Sequence, residues 1–150
     1  MHDPDTAPFR FTVRVYWEDT DAGGIVFYAN YLKFFERART EWLRALGLAQ
    51  EELRTAGGLL FMVSAASLRY LAPARLDDAI DVTVRPRSAG RATLELGQEA
   101  WRREPSGPAK LLADATVRIA CVDAGTYRPR RIPTSLLQAF ADARPTHAHG

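Results

Sequence analysis

Residues 30–47 read NYLKFFERARTEWLRALG, and this stretch decides the fold. Its apolar residues recur at the spacing of one helix face, and they are Tyr31, Phe34, Phe35, Ala38, Trp42, Ala45 and Leu46. Polar residues fill the opposite face, and Gly47 follows where a helix commonly ends. The pattern therefore predicts one long amphipathic helix, 30–46, with an apolar face that other elements must cover.

On either side of this helix the apolar residues recur with a period of two. Apolar and polar side chains alternate strictly over 9–17, which predicts a half-buried strand. A short helix at about 49–55 precedes four more predicted strands, at 59–71, 79–87, 91–103 and 110–122. Their short, turn-like connections favour antiparallel pairing, and a last helix is predicted to begin near Thr134. The sequence thus predicts an α+β fold, in which a curved antiparallel sheet of about five strands wraps the long helix.

Length and composition predict a single globular domain and argue against a membrane-spanning, secreted or nucleic-acid-binding protein. The chain has 150 residues, a formal charge of +2 and 47% apolar residues. We expect a single globular domain, 1–150, with flexible tails at about 1–8 and 144–150. No apolar run approaches the roughly 20 residues that cross a bilayer, and the start of the chain lacks the basic region of a secretory signal. A cytoplasmic location is the expectation, and the basic residues are too dispersed for a nucleic-acid-binding protein.

The histidine and cysteine residues exclude several kinds of site. His2, His147 and His149 lie within a few residues of a terminus, where a catalytic triad cannot be held in place. Cys121 is the single cysteine, which excludes an internal disulfide and a cysteine-based zinc site. Its alternating segment predicts a buried side chain. Acid–base chemistry in this chain must therefore rest on carboxylates.

The loop EDTDAGG, residues 18–24, combines three carboxylates with two adjacent glycines just before the long helix. Such residues also favour turns for conformational reasons alone, and a calcium loop is excluded because the required twelfth-position glutamate is missing. As a reactive group, a carboxylate here would be kept ionised by the helix N-terminus. The backbone N–H groups from about Gly24 to Tyr28 could bind an oxyanion. Spacing alone does not distinguish Asp19 from Asp21.

Residues 18–47 resemble the signature of the 4-hydroxybenzoyl-CoA thioesterase-like hotdog family. They are most similar to its Tol-Pal-associated acyl-CoA thioesterase branch. The resemblance continues through 68–78, 119–123 and 127–133, so it covers nearly the whole chain. It implies the hotdog fold, and it implies a site that uses no metal and no prosthetic group.

The resemblance also assigns roles within the loop. It implies that Asp21 is the catalytic carboxylate and that the backbone N–H of Tyr28 is the oxyanion donor. The unpaired N–H groups before the helix make the N–H of Gly24 a further candidate donor. Tyr28 stands where the Tol-Pal branch commonly has histidine and the 4-hydroxybenzoyl type has tyrosine. The implied activity is hydrolysis of an acyl-CoA to free acid and CoA. Asp21 would act as general base or as nucleophile, and the sequence leaves both routes open.

Substrate and partners follow from the same reasoning. Similarity to the regions where family members bind the nucleotide gives five candidate CoA-binding residues: Arg87, Arg91, Arg128, Arg130 and Arg131. The open edges of a five-stranded sheet, with the family's habit of building sites between subunits, predict a homo-oligomer that is at least a dimer and expected to be a tetramer. The alternative function is a non-catalytic module that binds acyl carrier protein or envelope-complex partners.

Overall fold

The computed structural model describes residues 8–48 and 50–143. Within these residues, five strands and three helices follow in the order β1 (Phe9–Arg14), α1 (Asn30–Ala45), α2 (Gln50–Gly57), β2 (Leu59–Tyr70), β3 (Ala79–Ala89), β4 (Thr93–Arg102), β5 (Lys110–Asp123) and α3 (Thr134–Ala143). The predicted tails, which contain all three histidines, lie outside the described residues except for Pro8.

The five strands form one sheet in the order β1-β3-β4-β5-β2, and every neighbouring pair is antiparallel. Strands β1 and β2 are therefore the two edges. The long helix α1 packs its apolar face against the sheet, as the α+β prediction requires. The prediction of a five-stranded antiparallel sheet around one long helix is confirmed.

The buried face of α1 is the face that its periodicity indicated. Five of the seven predicted residues are buried, namely Tyr31, Phe34, Phe35, Ala38 and Trp42. Complete burial of each large side chain contributes roughly 1.5–3 kcal/mol, so this stripe is a main part of the core. Ala45 is exposed and Leu46 half-buried, because the helix ends at Ala45 and Gly47 turns the chain with a φ of +81°.

The first strand is shorter than the alternation predicts. It ends at Arg14, and Trp17 begins a single 3-10 turn that leaves its indole 77% exposed. The cause is local hydrogen bonding: the Asp19 carboxylate accepts the Tyr16 N–H at 2.9 Å, and the Thr20 hydroxyl donates to the Trp17 carbonyl at 2.9 Å. These bonds replace the ladder to β3, so the chain turns away from the sheet.

The other differences are confined to the ends of elements. The β3–β4 turn lies two residues later than predicted, at 90–92 rather than 88–90, where the Gly90 N–H donates to the Thr93 carbonyl at 2.8 Å. Cys121 is buried as expected, and burial raises the pKa of its thiol. None of the helices in the described part of the chain is long and apolar enough to cross a membrane.

Candidate functional site

The loop between β1 and α1 folds into a small hairpin of its own. Thr20 and Val26 form an antiparallel bridge, and the Asp21 N–H donates to the Ile25 carbonyl at 2.9 Å. The Gly24 N–H then donates to the Asp21 carbonyl at 3.0 Å. Gly24 adopts a φ of +79°, which side chains disfavour, so glycine is needed for this turn. The backbone around Asp21 is consequently held by main-chain bonds on both sides.

Asp19 holds this hairpin against the start of α1. Its side chain is only 6% exposed, and its carboxylate caps the 3-10 turn through the Tyr16 N–H. Its carbonyl accepts the Phe27 N–H at 3.0 Å and the Asn30 side-chain amide at 2.8 Å. One carboxylate oxygen and the carbonyl of Asp19 are therefore occupied with structure, and burial of the side chain leaves it unsuited to chemistry on a substrate.

Asp21 is different, since its side chain is exposed. Its Oδ1 accepts the Gly23 N–H at 2.8 Å, and Oδ2 has no hydrogen-bond partner among residues 8–48 and 50–143. One carboxylate oxygen thus orients the group while the other is free to accept a proton or attack a carbon. The structure distinguishes the two aspartates that spacing left equivalent.

The backbone donors before α1 are fewer than the sequence predicts. Within Gly24–Tyr28, three N–H groups are already used: that of Gly24 on Asp21, that of Val26 on Ala74 at 2.8 Å, and that of Phe27 on Asp19. The prediction of a free donor at Gly24 is therefore wrong. The N–H of Tyr28 has no acceptor in the described part of the chain, and neither has that of Ile25. The carbonyl that accepts the Val26 N–H belongs to Ala74, 48 residues later in the chain, so no local sequence pattern could have indicated its role.

Aromatic rings line the helix start. The Tyr28 ring lies 5.9 Å from that of Tyr70 at the end of β2, and the Tyr70 ring lies 5.6 Å from that of Tyr31. The Tyr31 hydroxyl is buried, and burial raises its pKa although the backbone of Ala74 opposes that effect. Tyr70 was missed by sequence reasoning because β2 joins the site only through sheet pairing.

A groove runs along α1 on the side that faces β2 and β5. One part, of about 410 Å³, begins at Leu32 and Leu68. A second part, of about 190 Å³, ends at Leu43 and Phe61. Both parts share Glu36, Arg39 and Val63 as lining residues. Leu32 follows Tyr28 by four residues and Leu68 precedes Tyr70 by two, so this end of the groove is the one nearer to the Tyr28–Tyr70 pair.

Arg39 is the charged residue of this groove that a hydrogen bond from within the fold holds in place. Its Nη1–H donates to Gln98 Oε1 at 2.9 Å, and Gln98 on β4 is itself fixed because its amide donates to the carbonyls of Phe35 and Thr83 at 3.0 and 3.3 Å. Burial lowers the pKa of Arg39, and the charge of Glu36 opposes that effect. Helical periodicity predicted neither the groove nor a half-buried guanidinium, because both depend on β4.

Four of the five candidate CoA-binding arginines lie around one end of the sheet. The segment with Arg128, Arg130 and Arg131 pairs with the end of β5, and the Ile132 N–H donates to the Arg91 carbonyl at 2.9 Å. Arg130 is committed to structure, since its Nη1 donates to the carbonyls of Gly57 and Gly58 at 3.0 and 3.1 Å. The fifth candidate, Arg87, lies on β3 two residues before that strand ends, and its guanidinium packs over Gly97.

This arginine cluster, comprising Arg91, Arg128, Arg130 and Arg131, is far from Asp21 of the same chain. The Asp21 hairpin adjoins the start of β5, through Val26–Ala74 and the bonds that Leu71 and Ala72 donate to Leu112. The cluster adjoins the end of β5, at the Val122–Pro129 bridge. Ten residues of strand separate Leu112 from Val122, which is about 33 Å. One chain therefore does not bring its own Asp21 and arginine cluster together.

Metal chemistry finds no support in the side chains that the structure describes. No group of three histidine, cysteine, aspartate or glutamate residues within 8–48 and 50–143 is placed to hold a metal ion. At the Asp21 hairpin the structure offers a carboxylate oxygen and a backbone N–H without partners among the described residues, together with a neighbouring groove.

Comparison with known proteins identifies the family. A family model described as the thioesterase-like superfamily matches residues 15–140. The chain belongs to the thioesterase-like superfamily. Among its relatives, the acyl-CoA thioesterase YbgC of Haemophilus influenzae is 42% identical over 132 residues, which cover 88% of this chain and 93% of the relative. The acyl-CoA thioester hydrolase YbgC of Escherichia coli O157:H7 is 40% identical over 136 residues, covering 91% and 98%.

Solved structures of this superfamily share the fold. A probable thioesterase from Bartonella henselae superposes with a TM-score of 0.78 at 33% identity, covering 85% of this chain and 100% of that one. A 1,4-dihydroxy-2-naphthoyl-CoA thioesterase from Synechocystis superposes with a TM-score of 0.82 at 24% identity, covering 91% and 97%, and it is similar in fold alone. The predictions of the family, of the hotdog fold and of an enzyme of the thioesterase class are confirmed.

Proposed function

We propose that this protein hydrolyses an acyl-CoA thioester to a free acid and CoA, with Asp21 as the catalytic carboxylate. The observation that carries the proposal is the exposed Asp21 side chain, oriented through one oxygen and free at the other, on the hairpin that leads to the unused N–H of Tyr28. The acyl-CoA class is supported by the relatives from H. influenzae and E. coli, which carry that activity in their names.

The chemistry needs a base or nucleophile and a site for the developing charge. In the first route Asp21 takes a proton from water, and the resulting hydroxide attacks the thioester carbon. In the second, Asp21 itself attacks and forms a mixed anhydride that water opens. In both routes the carbonyl oxygen becomes an oxyanion that the Tyr28 N–H stabilises, and CoA leaves as a thiolate that is then protonated. An N–H at a helix start suits this role because the helix dipole favours negative charge there.

The direct test is a panel of acyl-CoA substrates, with DTNB to report the CoA thiol. Cys121 is buried, so the folded protein contributes little to the signal. We expect thiol release with some members of the panel and loss of it in Asp21→Asn. Absence of turnover with every acyl-CoA would reject the proposal in favour of the non-catalytic acyl carrier protein or envelope-complex module.

A dimer through β2 would complete the site. This edge strand has 12 residues and exposes apolar side chains such as Met62 and Val63, whereas the other edge, β1, has six residues. A two-fold axis through the middle of β2 pairs it antiparallel with its copy, since isologous contacts repeat the same surface. That pairing reverses the partner's sheet and brings its arginine cluster toward Asp21, which accounts for their separation within one chain. We expect light scattering to report a dimer or a tetramer built from two such dimers, and an active monomer would contradict this assembly.

The remaining assignments stay predictions. The arginine cluster and Arg87 are proposed to bind the phosphates of CoA, and Arg130 also binds the carbonyls of Gly57 and Gly58. Binding of acyl carrier protein and a cytoplasmic location are likewise predictions.

A further inference from the structure

Arg39 is an unusual residue for an apolar groove. Its neighbours in the larger part include Leu32, Phe35, Val63 and Val117, so the guanidinium lies among hydrocarbon side chains. Among the described residues, its single hydrogen bond goes to the neutral amide of Gln98, and no carboxylate lies within ion-pair distance. Partial burial weakens the hydration of this cation, and the exposed Glu36 carboxylate compensates only in part. A ligand carboxylate in contact with the guanidinium would therefore stabilise it further.

The charge balance of the groove favours an anion. Its charged lining residues are Lys33, Glu36 and Arg39, which sum to +1. Glu36 is exposed at the rim, where it accepts the Thr40 hydroxyl at 3.0 Å, whereas Arg39 is held inward by Gln98. A guanidinium presents several donors in one plane and binds both oxygens of a carboxylate together. The Gln98 network fixes its position before any ligand arrives.

The distance from the site to Arg39 sets the length of the ligand. The thioester carbonyl would lie at the Tyr28 N–H, and Gln98 holds the Arg39 guanidinium beside the Phe35 carbonyl, seven residues further along the chain than Tyr28, or about 10 Å at the rise of a helix. An extended chain advances about 1.2 Å per bond, so about eight bonds reach from the thioester carbon to the guanidinium. We propose that Arg39 binds a carboxylate at the far end of the acyl group, so that the preferred substrates are CoA half-thioesters of dicarboxylic acids with about eight to ten carbons. This inference rests on the proposed thioesterase activity.

The test compares substrates that differ only in their terminal group. Suberyl-CoA, octanoyl-CoA and 8-hydroxyoctanoyl-CoA have the same length, and the measured quantity is the ratio of kcat/KM between suberyl-CoA and each of the others. We expect Arg39→Met to lower the suberyl-to-octanoyl ratio about ten- to a hundred-fold, because a charge-assisted hydrogen bond is lost. The loss should lie mainly in KM for suberyl-CoA. Arg39→Lys keeps the charge without the planar guanidinium, so its suberyl-to-octanoyl ratio should lie between those of the wild type and Arg39→Met.

Glu36→Gln is the matched control on the same helix face. It removes the one negative charge of the groove, so the suberyl-to-octanoyl ratio should rise rather than fall. Octanoyl-CoA hydrolysis reports whether each variant is folded. An unchanged ratio in Arg39→Met, or a wild-type preference for the hydroxyl over the carboxylate, overturns the proposal.

A binding measurement separates this inference from the proposed function. Calorimetric titration of suberyl-CoA and octanoyl-CoA into Asp21→Asn compares affinities without turnover. Tighter binding of suberyl-CoA that Arg39→Met abolishes supports the inference even if no hydrolysis is found. Equal binding of the two substrates rejects it even if the protein is an active thioesterase.

Discussion

Asp19 and Asp21 are two residues apart, and exchange of each for asparagine should have opposite consequences. In Asp21→Asn the amide oxygen can still accept the Gly23 N–H, so the exposed hairpin keeps its shape. What is lost is the basic or nucleophilic oxygen, and loss of general-base action alone lowers kcat by at least about 100-fold. That factor corresponds to about 2.7 kcal/mol of transition-state stabilisation. The melting temperature should stay within about 2 °C of wild type.

In Asp19→Asn the expected loss is in stability. The neutral amide oxygen accepts the Tyr16 N–H more weakly than a carboxylate, which costs about 1 kcal/mol. For a chain of this length that lowers the melting temperature by about 2–4 °C, while kcat should change no more than about three-fold. The assays are DTNB turnover and thermal melting on the same preparations. Equal kinetic losses in the two variants, or a fully active Asp21→Asn, would refute the assignment of roles.

Three further predictions address other parts of the molecule. Tyr28→Phe keeps the backbone N–H, so kcat should remain within about three-fold of wild type, and a hundred-fold loss would assign the phenol a role in the chemistry. Replacement of Arg91 and Arg128 by alanine should raise KM for acyl-CoA several-fold with little change in kcat. The rise in KM should be smaller at high salt and absent with an acyl-pantetheine, which lacks the nucleotide. Equal losses of activity on both substrates would mean that these residues are structural. Burial raises the pKa of Asp81, but hydrogen bonds from Arg103 and Thr12 outweigh it and hold that pKa below its ordinary value. The stability that this ionised carboxylate contributes is present above the unfolded-state pKa of about 3.9 and is lost as pH falls through the folded-state pKa. Arg103→Ala should therefore lower the melting temperature more at pH 7 than at pH 3. The same drop in melting temperature at both pH values would contradict this.

The elements that sequence reasoning predicted well are those fixed by their own periodicity. The face of α1 was predictable because each of its buried rings recurs at helical spacing. The inner face of β5 was predictable from Ala113 to Cys121, where buried and more exposed residues alternate, but not at Leu112, where the register shifts. The end of β1 could not, since the alternation continues through Trp17 although the Asp19 carboxylate turns the backbone at Tyr16. A hydrogen bond between a side chain and the backbone leaves no trace in hydrophobic periodicity.

The candidate site was predictable only where it is local. The loop composition indicated a carboxylate and backbone donors, but the choice between Asp19 and Asp21 came from resemblance, and in the structure it rests on burial. The occupied donor of Val26 depends on Ala74, and the position of Arg39 depends on Gln98. Both partners are more than 40 residues away in the chain. Contacts of this kind are made by sheet register, which the residues of the loop and helix do not encode by themselves.

The hairpin that carries Asp21 and the groove that carries Arg39 are built by different parts of the chain. The hairpin is closed by its own main chain and by Asp19, whereas Arg39 is positioned from β4 by Gln98. A mutation in the groove can therefore alter which acyl groups fit while the reacting carboxylate stays in place. Conversely, the loop can lose its reactivity without disturbing the groove. This independence would let a lineage of such proteins acquire new substrates, or retain binding after losing catalysis, by single substitutions that leave the fold intact.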